Sequence, residues 1–489
     1  MTDVTDPHLA ALIQSAAPED LIRDHVRQAR SALAAGAAAG NRGAVWRPGE
    51  PLRLLLAGYN GTGNTGADVR TAEIVRQIRS LLGPDAVAPE ILVLNGFLPA
   101  ELFPGVRQRS MDGYFVPALA GLALDSHGVI GCEGGLFKSN MSGSFCTMVA
   151  GAMGMARALD KPACAYGAEA GAMGGGLVPF VREMCDGALV ITRNGESSRH
   201  LSAVGVESET GADTAWTFDP APPERAEALL RAAGWDGRAE ILGLCPVNPF
   251  WWPLTLDLKR VAAAEDPRHY GGGFFHRDDE EARAAFTRYL DGIATAVTAL
   301  RRETGIFPII VGMERIDREA CAALAERLGS GVPVFVSGSR SPGELVALLR
   351  RCGRLVSSRF HAVVTAMPAG VPAVALSMDE RLGRLLGEGA DGGGRLIATD
   401  DPLLAERLLA ALRAIPAERD AHAAQARAVT AAAVRTMGAM GIRLLDHLRG
   451  HLPDLPVPDR PRRWDTHLPP LPPLIQAILS GDRHEGTGA

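Results

Sequence analysis

The chain runs to 489 residues, roughly three times the length of a typical single domain, which excludes a small binding module and leads us to expect two domains with appendages. Hydrophobic residues make up 47% and charged residues 22%, the balance of a globular chain with a large core rather than a disordered or fibrous one. Lys and Arg number 50 against 56 Asp and Glu, a net charge of −6, and no run of basic residues offers a footprint for phosphate backbones, so nucleic acid is not an expected partner.

Seven cysteines (Cys132, Cys146, Cys164, Cys185, Cys245, Cys321, Cys352) form no CxxC pair and no cysteine–histidine cluster at zinc spacing. No metal is expected, and reduced thiols point to the cytoplasm. The N-terminus starts acidic and shows no cleavage pattern, so no secretory signal is read there. The most apolar windows, Tyr114 to Leu124 and Gly143 to Ala156, are too short or interrupted to cross about 30 Å of hydrocarbon. Any membrane contact is therefore expected to be peripheral.

In chain order, residues 1–50 read as an N-terminal helical arm, with Leu9, Leu12, Ile13 and then Leu21, Ile22, Val26 at helical spacing. From 52 the pattern changes to short apolar runs bounded by glycine (LRLLLAG, EILVLNG, HGVIGCEGG, PACAYG, GALVIT) that alternate with helical stretches. That alternation predicts a Rossmann-like parallel-sheet domain over 51–217. Residues 218–240, with several prolines and a solvated helix, suit a linker. A second series (EILGLCPV, FPIIVG, VPVFVSG, GRLVSS, VPAVALS) predicts a second Rossmann-like domain over 241–400, interrupted by an aromatic excursion at 245–281. Helices are expected over 401–450, reaching back over the first domain, and an extended Pro-rich tail over 451–489. The fold class is thus α/β, two Rossmann-like domains facing a cleft, where helix N-termini present free N–H groups to an anion.

Five loops after strands carry candidate chemistry. In AGYNGTGNTGADVR, Gly63 lets the backbone approach a ligand, Asn64 can donate, and Asp68 can accept or move a proton. In GCEGGLFKSNMSGS, Gly134 and Gly135 permit a tight turn. Lys138, one of only three lysines (138, 161, 259), supplies a point charge for phosphate. Arg193 ends a strand in ITRNGESS, where it can fork onto an anion or pair with Glu196. The segment RLVSSRFHAVVTAMPAGVPAVALS places Ser358, Arg359 and His361 at the start of a helix, joining a fixed anion fork to a group that moves protons near neutral pH. The excursion crowds Trp251, Trp252, Tyr270 and His276 together, with Gly271 to Gly273 as a hinge. Its aromatic faces can stack on a sugar as an acceptor site or lid, or form a small satellite core.

Taken together, these segments resemble the polysaccharide pyruvyl transferase family over roughly residues 53–390. The resemblance rests on Gly63-Asn64-Thr65-Gly66, Glu133-Gly134-Gly135-Leu136 and Arg193-Asn194-Gly195-Glu196-Ser197. Its most specific part is Ser357-Ser358-Arg359-Phe360-His361-Ala362 followed by Ala369-Gly370-Val371-Pro372. It implies a GT-B-like architecture and transfer of a pyruvyl group from phosphoenolpyruvate, as co-substrate and with no cofactor, to saccharide or lipid-linked saccharide hydroxyls, forming a ketal. It further implies that Arg359 and His361 bind the donor, with Arg193 a second anion contact. The family usually places an aspartate directly after Gly-Asn-x-Gly; here Ala67 holds that place and Asp68 follows.

In chemical terms, ketal formation needs the enol carbon protonated, a role that fits His361 as imidazolium, while Arg359, Arg193 and Lys138 hold carboxylate and phosphate. Two alternatives remain at this level: a nucleotide-sugar glycosyltransferase using the same cleft, and a non-catalytic anion-binding relative.

Overall fold

The computed structural model describes residues 12–485 except 13, 16, 95, 97, 112, 113, 141, 258, 259, 261–273 and 387–393. Helix α1 (Pro18–Ala38) precedes the first sheet. Its Val26 is fully buried among residues of α3 (Phe115–Asp125) and α4 (Gly143–Ala158), so the expected arm is part of the first domain's cover.

The glycine-bounded apolar runs become strands buried on both faces, as parallel sheets require. β1 (Leu52–Ala57), β2 (Val87–Val93), β3 (Arg107–Ser110), β4 (Gly128–Gly131), β5 (Ala163–Ala168), β6 (Leu189–Thr192) and β7 (Glu209–Thr210) form one parallel sheet in the order β3-β2-β1-β4-β5-β6-β7. Helices α2 (Thr65–Leu82), α3, α4, α5 (Leu177–Cys185) and α6 (Gly195–Ala203) connect them. Strand order reverses at β1 and β4, so the loops after these strands diverge and open a crevice, and both carry predicted ligand loops.

The second domain repeats the plan with six parallel strands in the order β12-β11-β8-β13-β14-β15. They are β8 (Ile241–Cys245), β11 (Phe307–Gly312), β12 (Val334–Val336), β13 (Arg354–Ser357), β14 (Ala373–Ser377) and β15 (Leu396–Ala398). The excursion after β8 contains a two-stranded antiparallel pair, β9 (Thr255–Leu256) and β10 (Phe274–Phe275). Helices α8 (Glu280–Thr304), α9 (Arg318–Leu328), α10 (Pro342–Arg350), α11 (Phe360–Ala366) and α12 (Glu380–Leu386) cover the sheet. The helix in 218–240, α7 (Pro223–Ala232), is not solvated: Ala226, Leu229 and Leu230 are buried and it packs on α10.

The C-terminal helices expected over 401–450 are one helix, α13 (Leu404–His451), about 70 Å long and continuous through Pro416. Leu404, Leu408, Leu412 and Ile415 pack into the second domain, and Val434, Met437, Met440 and Leu444 join a cluster containing β1 of the first. This helix alone, among the described residues, is long and apolar enough to cross a membrane, and half of its most apolar stretch is buried inside the protein. The Pro-rich tail is irregular from 452 to 472, with one 3₁₀ turn at Trp464–Thr466, and then forms a helix, α14 (Pro473–Glu485), where an extended strap was expected.

One hydrophobic cluster runs from Leu52, Leu54 and Leu56 of β1 through Val69 and Trp216 to Ala362 and Val363 of α11 and Ile309 of β11. The two domains are therefore joined by apolar packing beneath the cleft as well as by α13.

Candidate active site

At the end of β1 the chain turns through Gly63 (φ +75°), a left-handed conformation that favours glycine. Asn64 then caps α2, its Oδ1 accepting from Ala67 N at 3.1 Å. Its amide nitrogen donates to Glu314 Oε2 at 2.9 Å, Thr65 N donates to Met313 O at 2.8 Å, and Arg315 N donates to Gly63 O at 3.2 Å. Gly63 and Asn64, expected to face a ligand, instead hold the first domain against the loop after β11.

Beyond its cap, α2 sorts its residues onto two sides. Gly66 and Arg70, four apart, face the loops after β4 and β5: Arg70 donates to Cys132 O (3.2 Å) and Gly167 O (2.7 Å), and Gly66 lies against the His361 ring. Asp68, two residues on from Gly66 and so on the opposite side, faces Glu314, Arg315 and Glu101. It is 2% exposed, and its Oδ1 has no hydrogen-bond partner among the described residues. Burial, reinforced by Glu314 and opposed by Arg315, pushes the Asp68 carboxyl up to about 7. The structure thus separates Asp68 from His361, with which the sequence reading had grouped it.

On the Gly66 side, a single buried carboxylate gathers three groups. Asp213, just beyond β7, is ion-paired with Arg70, whose Nε lies 3.1 Å away, accepts from an Arg193 terminal nitrogen (3.2 Å), and lies 3.4 Å from His361 Nε2. Burial alone would raise the Asp213 carboxyl, but Arg70, His361 and Arg193 hold it well below the usual range. Arg193 also pairs with Glu169 and sits 4.0 Å above the ring of Phe360. Gly134 is required here for space, because a Cβ would stand 2.7 Å from one Arg70 nitrogen and 3.0 Å from one of Arg193. The His361 side chain is 18% exposed, and burial lowers its proton affinity although Asp213 opposes the shift. That direction favours the neutral imidazole, whereas the sequence reading casts His361 as imidazolium.

Every predicted cation of the cleft is met by a carboxylate. Arg359 pairs with Glu314 (2.9 Å), and its Nε donates to both Asp317 oxygens (3.1 and 3.0 Å), so it turns toward the loop after β11 rather than toward Arg193. Lys138 is buried between Asp379 (3.4 Å) and Glu380 (3.6 Å), and burial, aided by Arg381, pushes its ammonium down to about 8. Arg384 reaches across the cleft to Glu169 (2.7 Å), and so links α12 to Arg193 through one carboxylate. The notch is therefore charge-matched, not simply positive.

Three further predicted residues serve the scaffold. Ser358 shares a 2.7 Å hydrogen bond with the Tyr289 hydroxyl in the second domain's core. Gly135 N donates to Glu133 Oε1 at 2.9 Å within its own turn. Trp251 is 4% exposed, with its ring 4.7 Å from that of His276 and 6.3 Å from that of Trp252; these aromatics pack on one another, and Trp251 offers no open face for a sugar. Tyr270 and the hinge expected at Gly271 to Gly273 lie outside the described residues.

Sequence reasoning missed Arg70, Glu169, Asp213, Glu314, Asp317, Asp379 and Arg384. A usable signal existed for the carboxylates, since Glu169, Asp213, Glu314 and Asp379 each fall within three residues of a strand's carboxyl end, where such sheets hold their ligands.

The family model for polysaccharide pyruvyl transferase matches residues 129–380. No curated protein matches the chain. Among solved structures, the S. aureus MnaA–UDP co-structure is 10% identical, covers 84% of this chain and 99% of its own, and has a TM-score of 0.50. The UDP-N-acetylglucosamine 2-epimerase from Rickettsia bellii is 13% identical over 82% of this chain and 98% of its own, with a TM-score of 0.45. At these identities the likeness concerns the two-domain fold alone.

Proposed function

The chain belongs to the polysaccharide pyruvyl transferase family, and on that premise we propose that it moves the pyruvyl group of phosphoenolpyruvate onto two hydroxyls of a saccharide, forming a ketal. The observation that carries this reading is the convergence of Arg70, Arg193 and His361 on Asp213 where the two domains meet, one imidazole among fixed guanidinium groups.

The donor brings a carboxylate and a phosphate, which exchange with the protein carboxylates now paired to Arg193, Arg384 and Lys138. Each charged hydrogen bond so gained contributes roughly 1.5 to 3 kcal/mol. His361 starts neutral. Its imidazole takes the proton of the first acceptor hydroxyl, becoming a cation stabilised by Asp213, and passes that proton to the methylene carbon as the hydroxyl oxygen bonds to C2. The hydroxyl O–H and the carbon–carbon π bond break; a C–O and a C–H bond form. The second hydroxyl then displaces phosphate from C2, and its proton leaves with the phosphate.

The experiment is incubation with phosphoenolpyruvate and a panel of saccharides while phosphate release is followed, alongside thermal shifts with the donor. Ligand at 100 times its Kd adds about 2.7 kcal/mol of stability. Stabilisation by nucleotide sugars and not by phosphoenolpyruvate would overturn the donor assignment.

A further inference from the structure

The cations proposed to meet the donor are closed off from solvent: Lys138, Arg193 and the neighbouring Arg70 are each at most 7% exposed. A ligand the size of phosphoenolpyruvate reaches them only if an element covering them moves. We infer that Asp379 and helix α12 form a lid over these cations, pinned to the first domain through Lys138 and Glu169, and that its lifting admits an anion. That the anion is phosphoenolpyruvate rests on the pyruvyl-transfer reading above; that α12 is the part that moves rests on its packing.

Two elements of the second domain lie over the site. α11 brings Phe360 against Arg193 and His361 against Asp213, and it is fixed from behind, because Ala362, Val363, Val364 and Ala366 are buried in the cluster that joins the domains. α12 is anchored less deeply. Of its seven residues Leu382 and Gly383 are buried, while Leu385 and Leu386 pack on the core only in part. Charged and polar pairs tie it to the first domain: Lys138 to Asp379 (3.4 Å) and to Glu380 (3.6 Å), and Arg384 to Glu169 (2.7 Å) and to the Ala170 carbonyl oxygen (3.2 Å). A short segment with little buried apolar surface is the kind that opens without the rest of the fold.

The division of charge on opening agrees with this. Asp379 keeps Arg381 (2.7 Å), Glu380 and Arg384 keep each other (3.8 Å), and Glu169 keeps Arg193. Lys138 alone among these groups loses every carboxylate it is paired with. Lifting α12 thus turns a charge-matched notch into one with a single uncompensated ammonium, which costs free energy until an anion takes the place of the departed acids. A phosphate or a carboxylate is the ligand that opening selects.

The test follows acetylation of Lys138 by the N-hydroxysuccinimide ester of acetic acid in the full-length protein, read by peptide mass spectrometry. Lys161, whose ammonium donates to the carbonyl oxygens of Ala123, Leu124 and Ser126, is the reference. Arg384→Met removes one charged tie and should raise the ratio of Lys138 to Lys161 labelling about tenfold, and Arg384→Lys should restore most of the protection. An unchanged ratio in R384M would overturn the inference. So would a common response of the two lysines to urea in the wild type: below the unfolding transition Lys138 labelling should stay flat, because lifting one short helix exposes little surface, while Lys161 labelling rises with global opening. Phosphoenolpyruvate should slow Lys138 labelling in the wild type. A raised ratio in R384M, with wild-type labelling that phosphoenolpyruvate leaves untouched, would keep the lid and sink the donor reading.

Discussion

Gly66→Ala is the sharpest perturbation of the domain contact. Gly66 is in the first turn of α2 with an ordinary helical backbone, where Ala is the better helix former by about 1 kcal/mol, so the backbone alone predicts a gain. The side chain predicts the opposite. A Cβ at 66 would lie 2.8 Å from the Cβ of His361 and closer still to its ring atoms, roughly 1 Å or more inside ordinary contact. The imidazole cannot move freely, with Phe360 edge-on at 5.2 Å and Asp213 at Nε2. Displacing it by about 1 Å costs on the order of 10²-fold in turnover. The assay is steady-state phosphate release together with thermal melts of wild type, G66A, H361A and the double variant. G66A should lose about 10²-fold in kcat, and G66A should melt lower relative to wild type than G66A/H361A does relative to H361A, because removing the imidazole relieves the overlap. Wild-type turnover in G66A, or equal melting differences on the two backgrounds, would refute this account of the contact.

Three further outcomes follow from the same geometry. His361→Ala should still bind phosphoenolpyruvate by thermal shift while turnover drops about 10²- to 10⁴-fold; because the imidazole must start neutral, wild-type kcat/KM should fall as pH drops below the ordinary histidine range, and a flat profile there would contradict it. Lys138 is a cation whose folded-state value is pushed down to about 8, so its charge is present below that pH and lost above it; the KM for the anionic donor should rise about tenfold per pH unit above 8, and a constant KM to pH 9.5 would exclude Lys138 from donor binding. Asp68→Asn should raise the melting temperature at pH 8 and leave turnover within about threefold: with a folded-state carboxyl near 7 against an ordinary 3.8, the native state holds the extra proton, so the penalty is absent below pH 4, grows to pH 7 and is constant above, with a ceiling of roughly 4 kcal/mol, and equal melting at pH 8 would disprove it.

The strands and the glycine loops were legible in the sequence because they follow local rules: apolar runs closed by glycine, and a cap residue such as Asn64 before a helix. The Ser357 to His361 segment was legible for the same reason. What escaped were the partners. Asn64 and Glu314 are 250 residues apart in the chain, and Arg384 meets Glu169 across 215, so nothing local announces that each predicted cation already has a carboxylate. The side of α2 on which Asp68 sits could have been read, since residues 66 and 68 of a helix cannot share a face. Pro416 reads as a break, yet α13 runs through it while packed on both domains. The tail's prolines hid α14, which begins at the last of them.

That the proposed site for a small anion is lined with acids needs a physical reason. Guanidinium groups as close as those of Arg70 and Arg193 repel one another; burial first, with Arg70 among the adding charges, pushes the Arg193 guanidinium down to about 10. Asp213 and Glu169 make that crowding tolerable before a ligand arrives, and they fix the guanidinium planes in the process. Removing Asp213 would leave the buried Arg70 without its carboxylate, at about 3 to 5 kcal/mol, whereas removing Glu169 leaves Arg193 still paired to Asp213. On the proposed reading, an incoming donor with about three negative charges would meet cations that are already oriented and need only exchange partners, at less entropic cost than gathering them from solvent. Asp213, which also touches His361, is the one acid that cannot leave without losing the imidazole's counter-charge, whereas Glu169 joins Arg193 to Arg384 of the other domain and has no hold on His361. On that difference, the proposed transfer has Glu169 yield its partners to the donor and Asp213 stay through the reaction.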